Sequence, residues 1–171
     1  SGEAIFCQGD GGLSSTNKVS SSGVVAANVT QSNGGKANGA AVTFGLSGQA
    51  IKGFGSAPTN AVTNIISNTG VIASDTTGVG TARLGLGASS FGGDKAIFAF
   101  GQNGDGQSNI SNLVSNLGVV ASDTDGVGSA REGISAAFGG DKAIFAYGGG
   151  TQYWNVSNLV TNVGVVGTDV T

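Results

Sequence analysis

Two groups of residues in this 171-residue chain have types and spacing that could do chemistry. The first is the carboxylates Asp75, Asp94, Asp105, Asp123, Asp125, Asp141 and Asp169, which in pairs could act as general acid and base or share a cation. Nearly all lie in Gly-flanked stretches, where Asp favours turns. Asp123-Thr124-Asp125-Gly126 has the start of a calcium loop but lacks the third ligand and the downstream Glu of an EF-hand. A turn-forming role is therefore expected, with no metal and no cofactor. The chain has no His, which excludes a His-based triad and a His-based zinc site. Cys7, the only cysteine, reads as a small apolar residue in a strand.

The second group is amides, guanidinium groups and aromatics. Asn64/Asn68, Asn112/Asn116 and Asn158/Asn162 are spaced by four, which returns to one face of an extended strand. They form either a polar rim for a sugar or partner, or strand-end bonds to the backbone; the second is expected. Arg83 and Arg131 hold equivalent places. Each could make a structural hydrogen bond between neighbouring units or offer its fork to a carboxylate ligand. The stretch Gly149 to Asn155 contains the only Trp and one of the two Tyr residues. Gln152, Tyr153, Trp154 and Asn155, with Asn103, Asp105 and Gln107 from the corresponding polar stretch one repeat earlier and with Arg83 and Arg131, form the candidate ligand-binding set. An aromatic platform beside amides suits stacking on a sugar ring or anchoring a partner.

The elements that must position these residues repeat. Gly92-Gly93-Asp94-Lys95-Ala96-Ile97-Phe98-Ala99-Phe100-Gly101 returns as Gly139-Gly140-Asp141-Lys142-Ala143-Ile144-Phe145-Ala146-Tyr147-Gly148. Fainter copies place the anchoring Ala at Ala4, Ala50, Ala96 and Ala143, in steps of 46, 46 and 47. Gly-Val-Val or Gly-Val-Ile begins at Gly23, Gly70, Gly118 and Gly164, confirming the register. Such a period marks a solenoid, propeller or array.

One repeat reads as four short strands divided by Gly, Asn and Asp turns: Lys95 to Phe100, Ile110 to Ser115, Val119 to Ser122, and Glu132 to Phe138. No stretch has the apolar period, cap and stop of a helix, so the fold is expected to be all-β. The continuous apolar run Ala96 to Phe100 suits a strand buried on both faces. Radial four-stranded sheets around an axis, a β-propeller, satisfy both features. The 33 Gly residues then have a cause, since inner strands converge and leave little room. A single domain, 1-171, is expected, with blades at 1-33, 34-79, 80-127 and 128-171.

The run from Ser129-Ala130-Arg131 through Phe138-Gly139-Gly140-Asp141 to Tyr147-Gly148-Gly149-Gly150 resembles a kelch repeat, and residues 80 to 101 match the same pattern through Arg83. The wording Lys-Ala-Ile-Phe-Ala-Phe-Gly, Ser-Asn-Leu-Val-Ser-Asn-Leu-Gly-Val-Val and Gly-Val-Gly-Ser-Ala-Arg is similar to repeats in tail-fibre and other virion proteins of bacteriophages, especially marine ones. The resemblance implies a kelch-like propeller whose first blade starts at its second strand, Ala4 to Gln8, and lacks an inner strand. The unpaired edge would favour association. The chain continues beyond Thr171, or a neighbouring chain covers the gap, or that strand is dispensed with.

Only 10% of residues are charged and the net charge is -3, with no basic stripe for phosphates, so nucleic acid is not an expected partner. No apolar run reaches the roughly 20 residues of a membrane span. The reading is a non-enzymatic structural or adhesive module in a virion or extracellular assembly, with a homo-oligomer or other virion proteins as partners. The alternative is a carbohydrate-binding lectin domain taking surface glycans.

Overall fold

The computed structural model describes residues 3–7, 15–30, 36–56 and 59–171. Within these it is all-β, without a helix, and every strand pairing is antiparallel. The first sheet contains β1 (Ala4–Cys7), β2 (Ser15–Val19) and β3 (Val29–Thr30). The second contains β4 (Ala40–Phe44), β5 (Gln49–Gly53) and β6 (Thr63–Ile66). The third has β7 (Gly87–Phe91) and β8 (Lys95–Ala99); a small hairpin follows, β9 (Gln102–Asn103) with β10 (Gly106–Gln107), and β11 (Ser111–Val114) completes the sheet. The fourth is β12 (Ser135–Gly139), β13 (Lys142–Ala146) and β14 (Ser157–Val160).

The second, third and fourth sheets share one plan: a first strand, then a central strand, then a third. The first sheet begins at the central position. β1 pairs with β2 in the register that β8 keeps with β11, and its other edge carries no strand among the described residues. The Gln8 end of that expected strand lies outside the described residues.

The expected strand Val119 to Ser122 does not form. Isolated bridges replace it, Val114 with Val120 and Ser111 with Thr124. The second bridge is one residue out of register with the first, so the outer segment carries an extra residue, a bulge that interrupts the ladder. The same offset occurs at Ile66/Ile72 with Thr63/Thr76, and at Val160/Val166 with Ser157/Val170. The residues displaced into these bulges are Asp75, Asp123 and Asp169, and a bulge re-aims a side chain.

Packing is between sheets. Phe44, Ile51 and Phe54 of the second sheet meet Ala96, Phe98 and Val114 of the third in one buried cluster. Phe91, Ile97 and Phe100 on the other face of the third sheet meet Ala143, Phe145 and Val160 of the fourth. β8 is thus buried on both faces, which accounts for its unbroken apolar run. The fourth sheet's far face has no such cover among the described residues: Ile144 and Leu159 are exposed where their counterparts Ile97 and Leu113 are buried and half-buried. β7 lies against β4 on one side and β12 on the other, whereas the third strands β6, β11 and β14 make no comparably close approach to one another.

Candidate functional site

In the second, third and fourth sheets the central strand is followed by an aromatic residue with a left-handed backbone, Phe54, Phe100 and Tyr147, at φ of 61, 63 and 60 degrees. This conformation is uncommon for a bulky residue and costs on the order of 1–3 kcal/mol. Its effect is visible in the next sheet. The Arg83 guanidinium stacks 4.5 Å above the Phe54 ring, and that of Arg131 stacks 4.1 Å above Phe100. The strained turn therefore aims a ring at the cation of the following unit.

Both arginines are 0% exposed, and their donors are engaged inside the protein. Arg83 Nε donates to Phe100 O at 2.9 Å, Nη1 to Thr81 O at 3.2 Å and Nη2 to Asn112 Oδ1 at 2.5 Å. Asn112 Nδ2 in turn donates to Asp123 Oδ1 at 2.9 Å and to Ala121 O at 3.0 Å. Thr81 closes the circuit, donating from its hydroxyl to Asp123 Oδ2 at 2.7 Å. Arg131, Asn158, Asp169 and Ser129 repeat it. In the second sheet Lys36 stands for Arg, 3.5 Å from Asn64 Oδ1 and 3.4 Å from Asp75. In the first, Asn17 bonds Asn28 at 2.7 Å.

These contacts revise three expectations. The hydrogen bonds of Arg83 and Arg131 stay within their own sheet, and the link between sheets is the stacked ring; the buried forks leave no face for a carboxylate ligand. Asp123, expected only to form a turn, accepts hydrogen bonds from Asn112 and Thr81 at the bulge of the outer segment. The Asn pairs do not share a face, because β11 ends at Val114: Asn112 is buried in the network, while Asn116 lies in the turn and donates to Asp94.

Burial pulls Arg83 down to about 10, against the charge of Asp123, so it remains protonated at neutral pH. Burial also lowers Arg131. For Asp123, burial acts to raise the pKa, but the hydrogen bonds from Thr81 and Asn112 and the nearby Arg83 outweigh it, and the carboxyl sits below its ordinary value. Asp169 is lowered in the same way through Ser129, Asn158 and Arg131. Burial raises the free Cys7 thiol.

The remaining candidates divide between the loop that precedes β14 in the fourth sheet and the β9–β10 hairpin of the third. Tyr153 is 96% exposed, and its ring covers the Gly149 backbone. Trp154 is half-buried, and its backbone N–H donates to Gly148 O at 3.0 Å. With Tyr147 and Glu132 they line a shallow recess of about 450 Å³. Gln152 and Asn155 are exposed in the same loop. Gln107 reaches this region by packing its side chain on Gly150, while Asn103 caps its own hairpin, accepting the Asp105 N–H at 2.9 Å. Tyr147 and Glu132 were not among the expected site residues. The signal for Tyr147 was present, as the one aromatic change between two otherwise near-identical decapeptides, Phe100 to Tyr147. Phe100 is 0% exposed and Tyr147 63%, because no cation of a further sheet covers the latter ring among the described residues.

No protein-family model matches the chain, and no curated protein sequence does. A solved structure titled "Structure of YjhT" is similar, with a TM-score of 0.65 and 15% sequence identity over 86% of this chain and 48% of that one. The chain thus spans about half the length of that structure, and a likeness at this identity concerns the fold alone.

Proposed function

We propose that the four sheets are blades of a kelch-like β-propeller and that the protein is a non-enzymatic module displaying a loop-borne binding surface, structural or adhesive, in a virion or extracellular assembly. Support for the propeller comes from the even repeat, from the third sheet packing one face on the second sheet and the other on the fourth, and from first strands that touch while third strands make no such approach. The repeat wording similar to phage virion proteins supports the location.

The observation that carries the display role is the contrast between the two polar sets. Arg83 and Arg131 with Asn112, Asn158, Asp123 and Asp169 are tied into networks within their own sheets, while Tyr153, Trp154 and Tyr147 stand on the surface around the recess. Aromatic rings with a free face bind well where one side is dry and the other wet. Loops on a rigid frame are the usual carriers of recognition.

The second reading, a lectin domain, is favoured by the acidic Glu132 beside the two tyrosines and Trp154, a set able to stack a sugar ring and accept its hydroxyls. A glycan array distinguishes the two. Loss of a specific glycan signal in Trp154→Ala, with unfolding unchanged, would favour the lectin. No glycan signal, together with concentration-dependent assembly or adhesion that Trp154→Ala or Tyr153→Ala weakens, is the result expected of the structural module. Neither binding nor assembly at any concentration would overturn the display role.

A further inference from the structure

Because neighbouring strands run in opposite directions, the hairpin that enters each central strand and the Gly-Val turn that leaves each third strand lie at the same end of a sheet. Backbone bonds line these turns up from one sheet to the next: Gly45 N–H donates to Asp94 O at 2.6 Å, and Gly92 N–H to Asp141 O at 2.7 Å. Hairpin and turn of neighbouring sheets also touch, since a Cβ at Gly45 would fall 3.0 Å from Asn116 O and one at Gly92 would fall 2.7 Å from Asn162 O. The turns of the second, third and fourth sheets thus form one continuous end of the molecule, opposite the end that carries the aromatic recess.

This turn end is apolar. Leu46, in the hairpin of the second sheet, is 90% exposed, and Leu117 and Val163, at equivalent places in the Gly-Val turns of the third and fourth, are 81% and 69% exposed. The Val after the turn Gly is exposed in every sheet, as Val24, Val71, Val119 and Val165. Leu46 sits in a hairpin of residues 45 to 48, one residue longer than 92 to 94 in the third sheet, where Gly93 at the tip has no atom within 4 Å of a Cβ position. Single exposed aliphatic side chains are ordinary, whereas a row of them along adjoining turns marks a contact surface.

Charge indicates what fits it. Among the described residues the charged groups at this end, Glu3, Lys18, Asp94, Lys95, Asp141 and Lys142, sum to zero. Lys95 and Lys142 are each paired with the Asp beside them, at 2.6 and 3.5 Å. The other described charges, six acids and four bases, sum to -2. The turn end therefore has no excess of lysine to attract an anionic membrane, and the rings suited to a membrane interface, Tyr153 and Trp154, stand at the opposite end. A second copy brings an end that is equally apolar and equally neutral, and two such ends meet without repulsion in an isologous pair.

We propose that the turn ends of two copies pack against each other about a two-fold axis, with Leu46 and Leu117 at the contact. The pairing takes these side chains out of water, which drives it. It leaves the two aromatic recesses facing outward in opposite directions, so that one pair presents two binding surfaces. The contact itself does not rest on the display role, and its failure would leave the recess untouched.

Sedimentation equilibrium over a concentration series reaching about 1 mM tests the pairing. The wild-type chain should approach the mass of two chains. Leu46→Asp with Leu117→Asp should weaken the pair about a hundredfold or more by placing charges in the contact. Both side chains stand in water in the single chain, so urea unfolding of this variant should match the wild type. Leu46→Ala with Leu117→Ala should weaken the pair less, about tenfold. Val79→Asp puts the same charge at an exposed site of the opposite end and should leave the mass unchanged. A single-chain mass for the wild type at every concentration, a two-chain mass that survives both Asp substitutions, or equal dissociation by Val79→Asp would overturn the proposal. So would co-sedimentation of the wild type with phosphatidylcholine vesicles that the two Asp substitutions abolish, which would give this end to a membrane.

Discussion

Arg83 and Arg131 organise the molecule at the scale of single residues, each joining a ring from the sheet before to an Asn and an Asp of its own sheet. Removing one such group from a buried network strands its partners. Arg83→Met keeps most of the volume but leaves Asn112 Oδ1 and two carbonyls without their donor, and a loss of about 3 kcal/mol in urea unfolding is expected; a loss near zero would mean that the network carries no stability. The carboxyls of Asp123 and Asp169 lie below their ordinary value in the folded protein. Their contribution is therefore present above the unfolded carboxyl pKa of about 3.9 and is lost as pH falls through the folded value. Thermal unfolding should be flat through neutral pH and fall on the acid side, and Asp123→Asn with Asp169→Asn should flatten that acid limb. The first sheet already tolerates the amide, since Asn28 stands in this position. The partnership could be glimpsed in the sequence as the repeated spacing Asn64/Asp75, Asn112/Asp123 and Asn158/Asp169. A spacing of eleven puts the two side chains on opposite faces of a continuous strand, and no helical pattern accompanies it, so it acquires meaning only once the turn and the bulge bring the two side chains together.

At the scale of elements, the junction between sheets depends on how closely the Gly-Val-Val turn approaches its neighbour. Gly164 has φ of 85 degrees, and a Cβ there would lie 2.7 Å from Leu113 Cδ2. Gly23, at the same place in the first sheet, has φ of 81 degrees, and among the described residues nothing lies within 4 Å of such a Cβ. Gly23→Ala should thus cost only backbone strain, about 1 kcal/mol, while Gly164→Ala should cost a further 1–3 kcal/mol from overpacking. Equal losses in chemical denaturation would show that the close approach is unimportant. Central strands such as Lys95–Ala99 were legible within a residue because they are apolar on both faces and bounded by Gly. The outer segment was not, because Val119 to Ser122 has the composition of a strand, and only the hydrogen-bond register reveals the extra residue. The hairpin Gln102–Asn103 with Gly106–Gln107 was hidden for the opposite reason, being short, polar and Gly-rich.

For the whole molecule, the repeat period made stacked β units legible, while the direction of stacking depends on contacts far apart in sequence. Tyr153 and Trp154 marked the loop that borders the recess and the change from Phe100 to Tyr147 hinted at its wall, but Glu132 carried no signal, because that wall exists only where a sheet face is left uncovered. A propeller requires sheets that fan outward from an axis. Pulsed electron resonance between spin labels measures that fan directly, on a Cys7→Ser background with one label pair at Ala41 and Ala137 on first strands and another at Val71 and Val165 on outer segments, all four exposed. A propeller gives a clearly longer distance for Val71 to Val165 than for Ala41 to Ala137. Equal distances would mean that the sheets stack in a straight ladder, and would overturn the propeller.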